Sequence, residues 1–465
     1  MMNVYKRILQ WNLSLPVLMV LVFLLACKKD IPDDNGNGNN PPKEEEIVPF
    51  DKVPDTGEIV MYEVNMQAFG PDGTFTNVLQ RLDSIRNLGV NVLWLMPVFP
   101  EGEEKGVGSP YCVRDYFDVN PDHGTPDELK KFVQEVHKRE MAVILDWVAN
   151  HTSWDNEWIL NESWYVHDAN GNIIPPPGTN WQDVAELNYD NPEMRSEMIR
   201  AMKHWVTTFN IDGFRCDAVD FVPFDFWKEA LDELKALPGR KLILLAESGK
   251  KESFEAGFQM NYSWDFQSKL TDVFRNGTTA AGIINTHNTE TANLPEGAWK
   301  LRYITNHDIC AWEDAPPVQY GSAEGSVAAF VINAFLGGVP LMYTGQEIAH
   351  PSPISFFDRN PIDWSKGANI YGQYKSIMQV RNEYRNLLSG SLKTYTQKDA
   401  VLFRRLSGAD ELLLVVNVRN KNVALTLPDE LHGTNWTNTL SGEKLLLPTE
   451  WTLQAYQYCI LKNEF

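Results

Sequence analysis

The sequence is poor in cysteine and in positive charge, and both shortages restrict its function. Five cysteines occur in 465 residues, and no paired spacing among them suggests a disulfide framework, which a chain of this length does not need. Lysine and arginine number 41 against 62 aspartates and glutamates, which gives a formal net charge of −21. This charge argues against nucleic acid or an anionic membrane surface as a partner. No internal repeat is evident.

The apolar run 13–26 is too short for a comfortable membrane span. Lys6 and Arg7 precede this run and Cys27 follows it, which is the layout of a secretory signal. The segment also resembles a bacterial lipoprotein signal, whose cysteine becomes the lipidated first residue. An ordinary signal peptide or a single anchor helix is the alternative. We predict a signal peptide at 1–26 and a lipid anchor on Cys27, which would attach the protein to the bacterial cell envelope, at the outer membrane or the cell surface.

The segment that follows Cys27 is polar and rich in asparagine, glycine and proline, so residues 27–54 are predicted to be a flexible tether. Beyond it, apolar strand-like runs alternate with amphipathic helical segments. The strand-like runs are IVMYEVNMQAF, VNVLWLMPVF, MAVILDWVANH, IDGFRCDAV, LILLAES, GFQMNYSW, LRYITNH and VPLMYTGQEI.

This alternation predicts an α/β fold, a (β/α)8 TIM barrel spanning residues 55–390. An open doubly wound sheet is the alternative, but no glycine-rich phosphate loop follows the first strand. The connection 152–190 lacks a clear helix and is predicted to be a short excursion domain over the barrel mouth. Short alternating strands after residue 390 predict a small all-β domain, a β-sandwich, at 391–465.

Polar residues follow the strand-like runs at their carboxyl ends. They are Asp146, Asn150, His151, Arg215, Asp217, Glu247, His307 and Asp308. In a TIM barrel these strand ends share one face, where the active site is built. Residues far apart in sequence are therefore predicted to converge on one site.

The stretch GFRCDAVDF, 213–221, raises the question of which residue does chemistry. Residues two apart in a strand share a face, so Arg215 and Asp217 are predicted to point into the barrel mouth and Cys216 toward the helices, as a packing residue. An adjacent arginine lowers the pKa of a carboxyl, which would suit Asp217 to act as a nucleophile. Glu247 ends an apolar run, where desolvation would raise its pKa and suit it to donate a proton.

Two carboxyls with pKa values shifted in opposite directions are expected in glycoside hydrolysis. For each acid alone, a salt bridge or a helix cap is the alternative. The stretches DWVANH (146–151), GFRCDA (213–218), AES around Glu247 and TNHD (305–308) resemble signature stretches of the α-amylase family, glycoside hydrolase family 13. ELN at 186–188 and GSPYCVRDYFDVNPDHGT, which contains Tyr111, resemble further stretches of that family. The resemblance covers roughly residues 58–360.

The resemblance implies a retaining glycosidase that acts on α-1,4-glucosidic bonds of starch-derived glucans or maltodextrins. By this resemblance Asp217 is the nucleophile that forms a covalent glucosyl intermediate, and Glu247 is the general acid and then the general base. Asp308 would bind the hydroxyls of the distorted sugar and stabilise the transition state. The implied partner is an α-glucan or maltooligosaccharide substrate.

The same resemblance implies four substrate-binding residues around these acids. Arg215 would orient the nucleophile, and Tyr111 would stack beneath the sugar. His151 and His307 would hold the sugar next to the bond that is cleaved. In the loop HPSPISFFDRNPIDW, Asp358 or Arg359 would lie near a neighbouring sugar unit or would make a surface salt bridge, and the sequence leaves both open.

The chain departs from the family pattern where many relatives bind calcium. Those relatives carry a Lys-His pair three and four residues after the nucleophile, and this chain has Asp220 and Phe221 there. Asn150 matches another family calcium ligand, but a hydrogen bond that fixes its loop is the favoured role. FGPDGTF at 69–75 lacks the oxygen ligands that calcium needs. We therefore predict that no cofactor is required, and the sequence does not support a structural calcium ion.

Two alternative functions use the same fold. A transglycosylase, or a debranching enzyme active on α-1,6 bonds, would use the same carboxyls and differ only in the acceptor or the linkage. A non-catalytic glucan-binding protein would have kept the barrel and lost one or more acids. Asp217, Glu247 and Asp308 are all present, which argues against a binding protein.

Overall fold

Eight parallel strands close into a barrel in the computed structural model, which describes residues 47–463. The predicted signal peptide, Cys27 and the tether up to residue 46 lie outside the described residues. The order of the strands around the barrel follows their order in the chain. They are β1 (Met61–Val64), β2 (Val92–Leu95), β3 (Ala142–Trp147), β6 (Gly213–Cys216), β7 (Ile243–Ala246), β8 (Met260–Tyr262), β9 (Trp299–Arg302) and β10 (Val339–Tyr343).

The barrel strands are apolar on both faces, as expected of a parallel sheet covered by helices. Alternate residues form two clusters. The cluster inside the barrel includes Met61, Trp94, Ile144, Leu245 and Leu341. The cluster between the barrel and its helices includes Tyr62, Leu93, Val143, Phe214 and Leu244.

Helices follow the strands and cover the outer face of the barrel. Several begin at clear sequence signals, such as the capping box of Thr125 and Glu128 before α4 and the Asn191 cap before α5. The α-helices are α1 (Met66–Phe69), α2 (Phe75–Leu79), α3 (Leu82–Asn87), α4 (Pro126–Lys138), α5 (Pro192–Thr208), α6 (Phe224–Lys235), α7 (Glu252–Ala256), α8 (Trp264–Asn276), α9 (Ala281–Thr291), α10 (His307–Trp312), α11 (Pro316–Gln319), α12 (Ala323–Phe335), α13 (Ala368–Glu383) and α14 (Arg385–Leu388). None of the helices between residues 47 and 463 is both long and apolar enough to cross a membrane.

The connection after β3 leaves the barrel as an excursion. It contains two short antiparallel strands, β4 (His151–Ser153) and β5 (Val184–Glu186), with 3-10 turns at Glu157–Leu160 and Glu162–Trp164 between them. His151 pairs with Glu186 in this small sheet. The excursion therefore continues from the end of a barrel strand and contributes a wall to the barrel mouth.

The C-terminal part is an antiparallel β structure. A six-stranded sheet has the order β11-β12-β13-β18-β15-β16, and β14 pairs separately with β17. The strands are β11 (Ser391–Tyr395), β12 (Ala400–Ser407), β13 (Asp410–Asn417), β14 (Val423–Thr426), β15 (Asn435–Asn438), β16 (Lys444–Leu446), β17 (Glu450–Leu453) and β18 (Tyr458–Asn463).

One face of the large sheet joins the outer cluster of the barrel, through residues such as Phe403 and Leu414. The other face packs with β14 and β17 around Leu402, Leu413 and Leu425. The predicted fold class, a barrel with an excursion and a C-terminal β part, is confirmed. The exact domain limits at residues 55, 152, 190 and 390 stay predictions.

Candidate active site

The predicted site residues converge at the carboxyl ends of the barrel strands. The three predicted catalytic acids and the predicted substrate-binding residues Tyr111, His151 and His307 line one cavity of about 450 Å³. Asp146, Asn150 and Arg215 are buried and do not line it. The excursion, helix α10 and the loops after β2 and β10 supply the other walls. The lining residues are Val107, Ser109, Tyr111, His151, Asn180, Trp181, Asp183, Val184, Asp217, Ala218, Glu247, His307, Asp308, Trp312, Phe356 and Phe357.

Arg215 organises the acids of this cavity. Its Nη1 lies 2.7 Å from Asp146 Oδ1 and 2.9 Å from Asp217 Oδ1, and its Nη2 lies 2.9 Å from Glu247 Oε1. The turn after β6 adds a second contact, because the Ala218 N–H donates to Glu247 Oε2 at 2.7 Å. One guanidinium and one backbone amide therefore hold Asp217 and Glu247 side by side at the cavity floor.

Burial decides the protonation of the two acids. It raises the pKa of Asp217 to about 6, although the charge of Arg215 opposes the shift. Burial also raises the pKa of Glu247 to about 7, again against Arg215. Arg215 does lower the pKa of Asp217, as predicted, but burial outweighs it and the carboxylates of Asp146 and Asp308 add to the rise, so the predicted net lowering is wrong. The predicted rise for Glu247 is confirmed, and Asp217 keeps the lower pKa of the two.

His307 lies in a chain of polar contacts beside these acids. Its Nδ1 is 2.5 Å from Glu63 Oε1, and its Nε2 is 2.8 Å from the Tyr111 hydroxyl and 3.3 Å from Asp308 Oδ2. Burial alone would lower the pKa of His307, but the carboxylates of Asp308 and Glu63 outweigh burial and raise it to about 9. The imidazole is therefore a cation near neutral pH, and it can donate from both nitrogens.

Tyr111 and His151 form the opposite side of the floor. The Tyr111 hydroxyl donates to Asp146 Oδ2 at 3.0 Å, and its ring stacks on His307 with centroids 5.5 Å apart. His151 Nε2 lies 3.1 Å from the Tyr111 carbonyl oxygen. Burial lowers the pKa of His151 to about 4. His151 is therefore neutral where His307 is charged, and its Nε2 donates to that carbonyl.

Cys216 faces away from the cavity. It is fully buried in the cluster between the barrel and the helices, and burial raises the pKa of its thiol well above the usual value. The prediction that Cys216 is a packing residue agrees with this position. The cysteines of the described residues, Cys112, Cys216, Cys310 and Cys459, are buried and free of disulfide bonds.

The positions that depart from the calcium-binding pattern make protein contacts. Asp220 accepts a hydrogen bond from Ser248 Oγ at 2.6 Å and lies 3.3 Å from Lys250 Nζ. Phe221 is half exposed and packs against Trp181, with ring centroids 5.5 Å apart. Within residues 47–463, no group of three or more histidine, cysteine, aspartate or glutamate side chains is placed to hold a metal ion.

Two further sequence expectations concern loops. The Asn150 side chain contacts His151 Nδ1 at 3.3 Å, and the backbone oxygen of Asn150 accepts from the Leu187 N–H. Arg359 pairs with Asp122 at 2.9 Å on the surface, so the salt-bridge alternative holds for this residue. The neighbouring Phe356 and Phe357 line the cavity instead.

Sequence reasoning missed Glu63 and the aromatic rim. Glu63 is fully buried in β1, and a single acid inside the apolar run IVMYEV was the available signal. Of the rim residues, Trp181 and Phe357 lie on connections without regular periodicity, and Trp312 ends the short helix α10. No local pattern distinguishes them from the many other aromatic residues of the chain.

A TIM barrel with paired carboxyls at its carboxyl-terminal face has the architecture of a glycoside hydrolase. The family model of the alpha amylase catalytic domain matches residues 33–171 and 178–387. The chain therefore belongs to the alpha-amylase family and is a glycoside hydrolase of that family.

Individual relatives are distant in sequence. Alpha-amylase 3 of Dictyoglomus thermophilum is 26% identical over 432 residues, covering 78% of this chain and 85% of that protein. A cyclomaltodextrinase of Geobacillus thermopakistaniensis is 22% identical, and the match covers 81% of this chain and 68% of that protein. The crystal structure of an alpha-amylase from Lactobacillus plantarum matches with a TM-score of 0.79 and 25% identity, over 88% of this chain and 100% of that one.

Proposed function

We propose that the protein hydrolyses α-1,4-glucosidic bonds of starch-derived glucans or maltodextrins with retention of configuration. The observation that carries this proposal is the shared contact of Arg215 with Asp217 and Glu247, each at 2.9 Å. This contact holds the nucleophile Asp217 and the proton donor Glu247 side by side on the cavity floor, and the pKa values of the two carboxyls differ. A retaining glycosidase needs this pair, because one carboxyl attacks while the other protonates the leaving group.

In the first step Asp217 attacks the anomeric carbon and Glu247 donates its proton to the glycosidic oxygen. A covalent glucosyl ester of Asp217 forms and the rest of the glucan leaves as an alcohol. The pKa of Glu247, raised by burial to about 7, keeps it protonated in weakly acidic solution. Asp217, whose pKa is about 6, is ionised first as the pH rises.

In the second step Glu247, now a carboxylate, takes a proton from water, and the hydroxide attacks the ester. Asp217 is released and Glu247 is protonated again, so the acid pair returns to its starting state. Asp308 and the His307 cation lie 3.3 Å apart beside the floor, where they would bind sugar hydroxyls. Charged hydrogen bonds to these hydroxyls that strengthen in the transition state would lower the barrier.

The walls of the cavity suit a sugar chain. The Trp181–Phe221 pair lies on the excursion side, and Trp312, Phe356 and Phe357 lie on the opposite side. Flat aromatic faces bind the apolar faces of glucose rings without a net charge. The relatives include an alpha-amylase and a cyclomaltodextrinase, which supports an α-glucan substrate.

A transglycosylase, or a debranching enzyme active on α-1,6 bonds, is the second candidate function. The Trp181 ring, which lines the cavity and is backed by the half-exposed Phe221, favours the transglycosylase, since a sugar acceptor could stack on it in place of water. A non-catalytic glucan-binding protein is disfavoured, because all three acids lie in the one cavity.

Product analysis tests the proposed function. Soluble starch, maltotriose and pullulan are each incubated with the enzyme, and products are followed by chromatography and by proton NMR. We expect shorter maltooligosaccharides from starch, released first as α-anomers. Release of β-anomers would overturn the retaining mechanism. Cleavage of pullulan at α-1,6 bonds alone, or products longer than the substrate, would favour the second candidate.

We also propose that Cys27 carries a lipid that anchors the protein in the bacterial cell envelope. The Lys6-Arg7 pair, the apolar run 13–26 and the cysteine after Ala26 support this proposal. Expression with a labelled fatty acid should give a labelled protein in the membrane fraction, and Cys27→Ser should give an unlabelled one. Equal labelling of both proteins would exclude the anchor. Cys459→Ser, a change far from the signal, is the control.

A further inference from the structure

Two adjoining cavities lie at the base of the barrel, at the opposite end from the active site. Their volumes are about 170 and 580 Å³. Both are lined by Trp299, Gly337, Gly338, Leu388 and Ser389. Trp299 begins β9 and the two glycines precede β10, which places the cavities at the amino ends of the barrel strands. The larger cavity also touches β11 and β12, so this base pocket joins the barrel to the C-terminal sheet.

Three buried arginines lie at this pocket, where helix α12 ends: Arg381 and Arg405 line its cavities, and Arg302 lies beside Gly338. Arg381 Nε donates to the Ala334 carbonyl at 2.9 Å, and Arg302 Nε donates to the Gly337 carbonyl at 3.0 Å. Arg405 donates through Nε to the Phe335 carbonyl at 3.2 Å, and through Nη2 to that of Leu336. Cations are favourable at the carbonyl end of a helix, which explains why arginines gather here.

Gly337 and Gly338 leave room for these arginine side chains. Gly337 and Gly338 have φ values of 123° and 119°. A Cβ atom on Gly337 would lie 2.5 Å from Arg405 Nη2, and one on Gly338 would lie 2.5 Å from Arg302 Cγ. Any larger residue would push the arginines out of the pocket, so the backbone is shaped to admit them.

The positive charge at the base exceeds the negative charge that faces it. Arg302 pairs with Glu290 at 2.5 Å. Among residues 47–463, no carboxylate lies within ion-pair distance of Arg381 or Arg405. The helix end supplies the equivalent of only about half a negative charge. Arg381 Nη1 is buried and, within the same part of the chain, has no hydrogen-bond partner.

Of the neighbouring groups, Lys300 adds to this excess, and the Arg385–Glu58 pair and His287 leave it unchanged. Lys300 is nine-tenths buried, lines the larger cavity and donates to the Tyr262 carbonyl at 3.2 Å. Arg385 and Glu58 line the smaller cavity and face each other at 3.4 Å. Burial together with the charges of the nearby arginines lowers the pKa of His287 to about 3, so this imidazole stays neutral. The base pocket is therefore electropositive in a protein of net charge −21.

We propose that the base pocket is a binding site for a small multivalent oxyanion of the phosphate class. Arg381 and Arg385 line it with guanidinium groups, which match the oxygens of such an anion in pairs. Ser389 also lies on the shared wall, where its hydroxyl donates to the Asn386 carbonyl at 3.0 Å. The bound anion would balance Arg381 and Arg405 and tie β12 to the barrel. This site is separate from glucan hydrolysis and does not depend on it.

Thermal unfolding of the full chain tests the site. Sodium phosphate is titrated at constant ionic strength, with sodium chloride as the balancing salt, and Tm is recorded by circular dichroism. We expect a saturable rise in Tm of about 2–4 °C at about thirty times the dissociation constant. Equal Tm values in phosphate and in chloride at every concentration would overturn the proposal. Hydrolysis of maltotriose well below Tm should be the same in both salts.

Two arginine variants test whether the rise in Tm with phosphate comes from the base pocket. Arg381→Met and Arg385→Gln should each unfold at a Tm that no longer rises with phosphate. Arg385 is half exposed, so its variant tests the site even where Arg381→Met fails to fold. The control is Arg359→Gln, a surface arginine paired with Asp122, which should keep the full rise. A rise retained in Arg385→Gln and in any folded Arg381→Met protein would contradict the assignment.

Discussion

At the barrel mouth one buried arginine, Arg215, faces three carboxyls, whereas at the base three buried arginines face one glutamate. The arginines named at both ends are buried, so unbalanced charge is costly in both. At the mouth the excess is negative, and burial raises the pKa values of Asp217 and Glu247 toward neutrality. At the base the excess is positive, and the arginines donate to helix carbonyls instead.

The mouth and the base differ because a carboxyl exchanges its proton near neutral pH and an arginine does not. A carboxyl can take up a proton near neutral pH, so crowding carboxyls together creates an acid and a base. Arginine keeps its proton under nearly all conditions, so crowding arginines creates a fixed positive charge that needs partners. The mouth is therefore suited to proton transfer, and the base to holding elements together.

The largest expected effect is the loss of turnover when the nucleophile at the barrel mouth is replaced. Asp217→Asn removes the nucleophile, so kcat on maltooligosaccharides should fall by at least about 10⁴-fold. Removal of one of three crowded carboxyls should leave Tm unchanged or higher. Steady-state assays and circular dichroism measure the two quantities. Asp220→Asn, three residues away and bonded to Ser248, is the matched control. Near-normal turnover by Asp217→Asn would show that the nucleophile is misplaced.

The second prediction concerns the base, where loss of a buried arginine should lower stability and leave activity unchanged. Arg302→Met leaves Glu290 buried without its partner, so the free energy of unfolding should fall by about 3–5 kcal/mol. Because Arg302 lies at the far end from the acids, kcat below the transition should be unchanged. Urea unfolding and steady-state assays check this. Arg359→Met, at an exposed ion pair, should change stability by under about 1 kcal/mol. A large loss of kcat in folded Arg302→Met would remove the contrast between the two ends.

Glu63 supplies the third prediction. Glu63→Gln removes one of the two carboxylates that raise the pKa of His307 to about 9, so that pKa should fall in an NMR titration. The weaker bond should reduce kcat by about 10- to 100-fold, the equivalent of about 1.5–3 kcal/mol. Glu347→Gln, which changes another buried glutamate that accepts from Tyr62, should leave both values near those of the wild type. An unchanged His307 pKa in Glu63→Gln would refute the positioning role.

The fourth prediction concerns pH. Asp217 must be ionised and Glu247 protonated, so kcat/KM should peak between the two pKa values, about 6 and about 7. Below the peak Asp217 takes up a proton, and above it Glu247 loses one, so activity falls about tenfold per pH unit on each side. With an α-glucosyl fluoride, whose leaving group needs no proton, the alkaline limb should weaken. An identical alkaline limb for both substrates would exclude Glu247 as the acid.

The smallest expected effect is that of a chelator. Asp220 and Phe221 make protein contacts where many relatives bind calcium, so we propose that no metal ion is required. EDTA should leave kcat unchanged and Tm within about 1 °C, a shift equivalent to about 1 kcal/mol for a chain of this length. A fall in Tm that added calcium restores would show a structural metal site.

Strand alternation explains how much of the site could be predicted. The pleat of β6 puts Arg215 and Asp217 inside the barrel and Cys216 outside, and that follows from sequence position alone. The convergence of acids from different strands also follows, once eight runs are recognised as one barrel. The direction of the Asp217 pKa shift did not follow, because it depends first on burial in the folded cavity and then on the nearby carboxylates of Asp146 and Asp308.

The base pocket could not be predicted for a similar reason. Arg302, Arg381 and Arg405 lie on a barrel strand, a helix and a strand of the C-terminal sheet. Each one alone looks like an ordinary charged residue in a mixed segment. Their shared target, the end of α12, is a feature of tertiary packing, and only the folded chain brings them together.

The central claim is that Asp217 carries the sugar during turnover, and mass spectrometry of a trapped enzyme tests it directly. A 5-fluoro-α-glucosyl fluoride forms the intermediate but slows its hydrolysis. We predict that the sugar mass appears on the tryptic peptide CDAVDFVPFDFWK, residues 216–228, and that fragmentation assigns it to Asp217. Assignment to Asp220, Asp225, Glu247 or Asp308, or an inactivated enzyme without a covalent sugar, would contradict the mechanism.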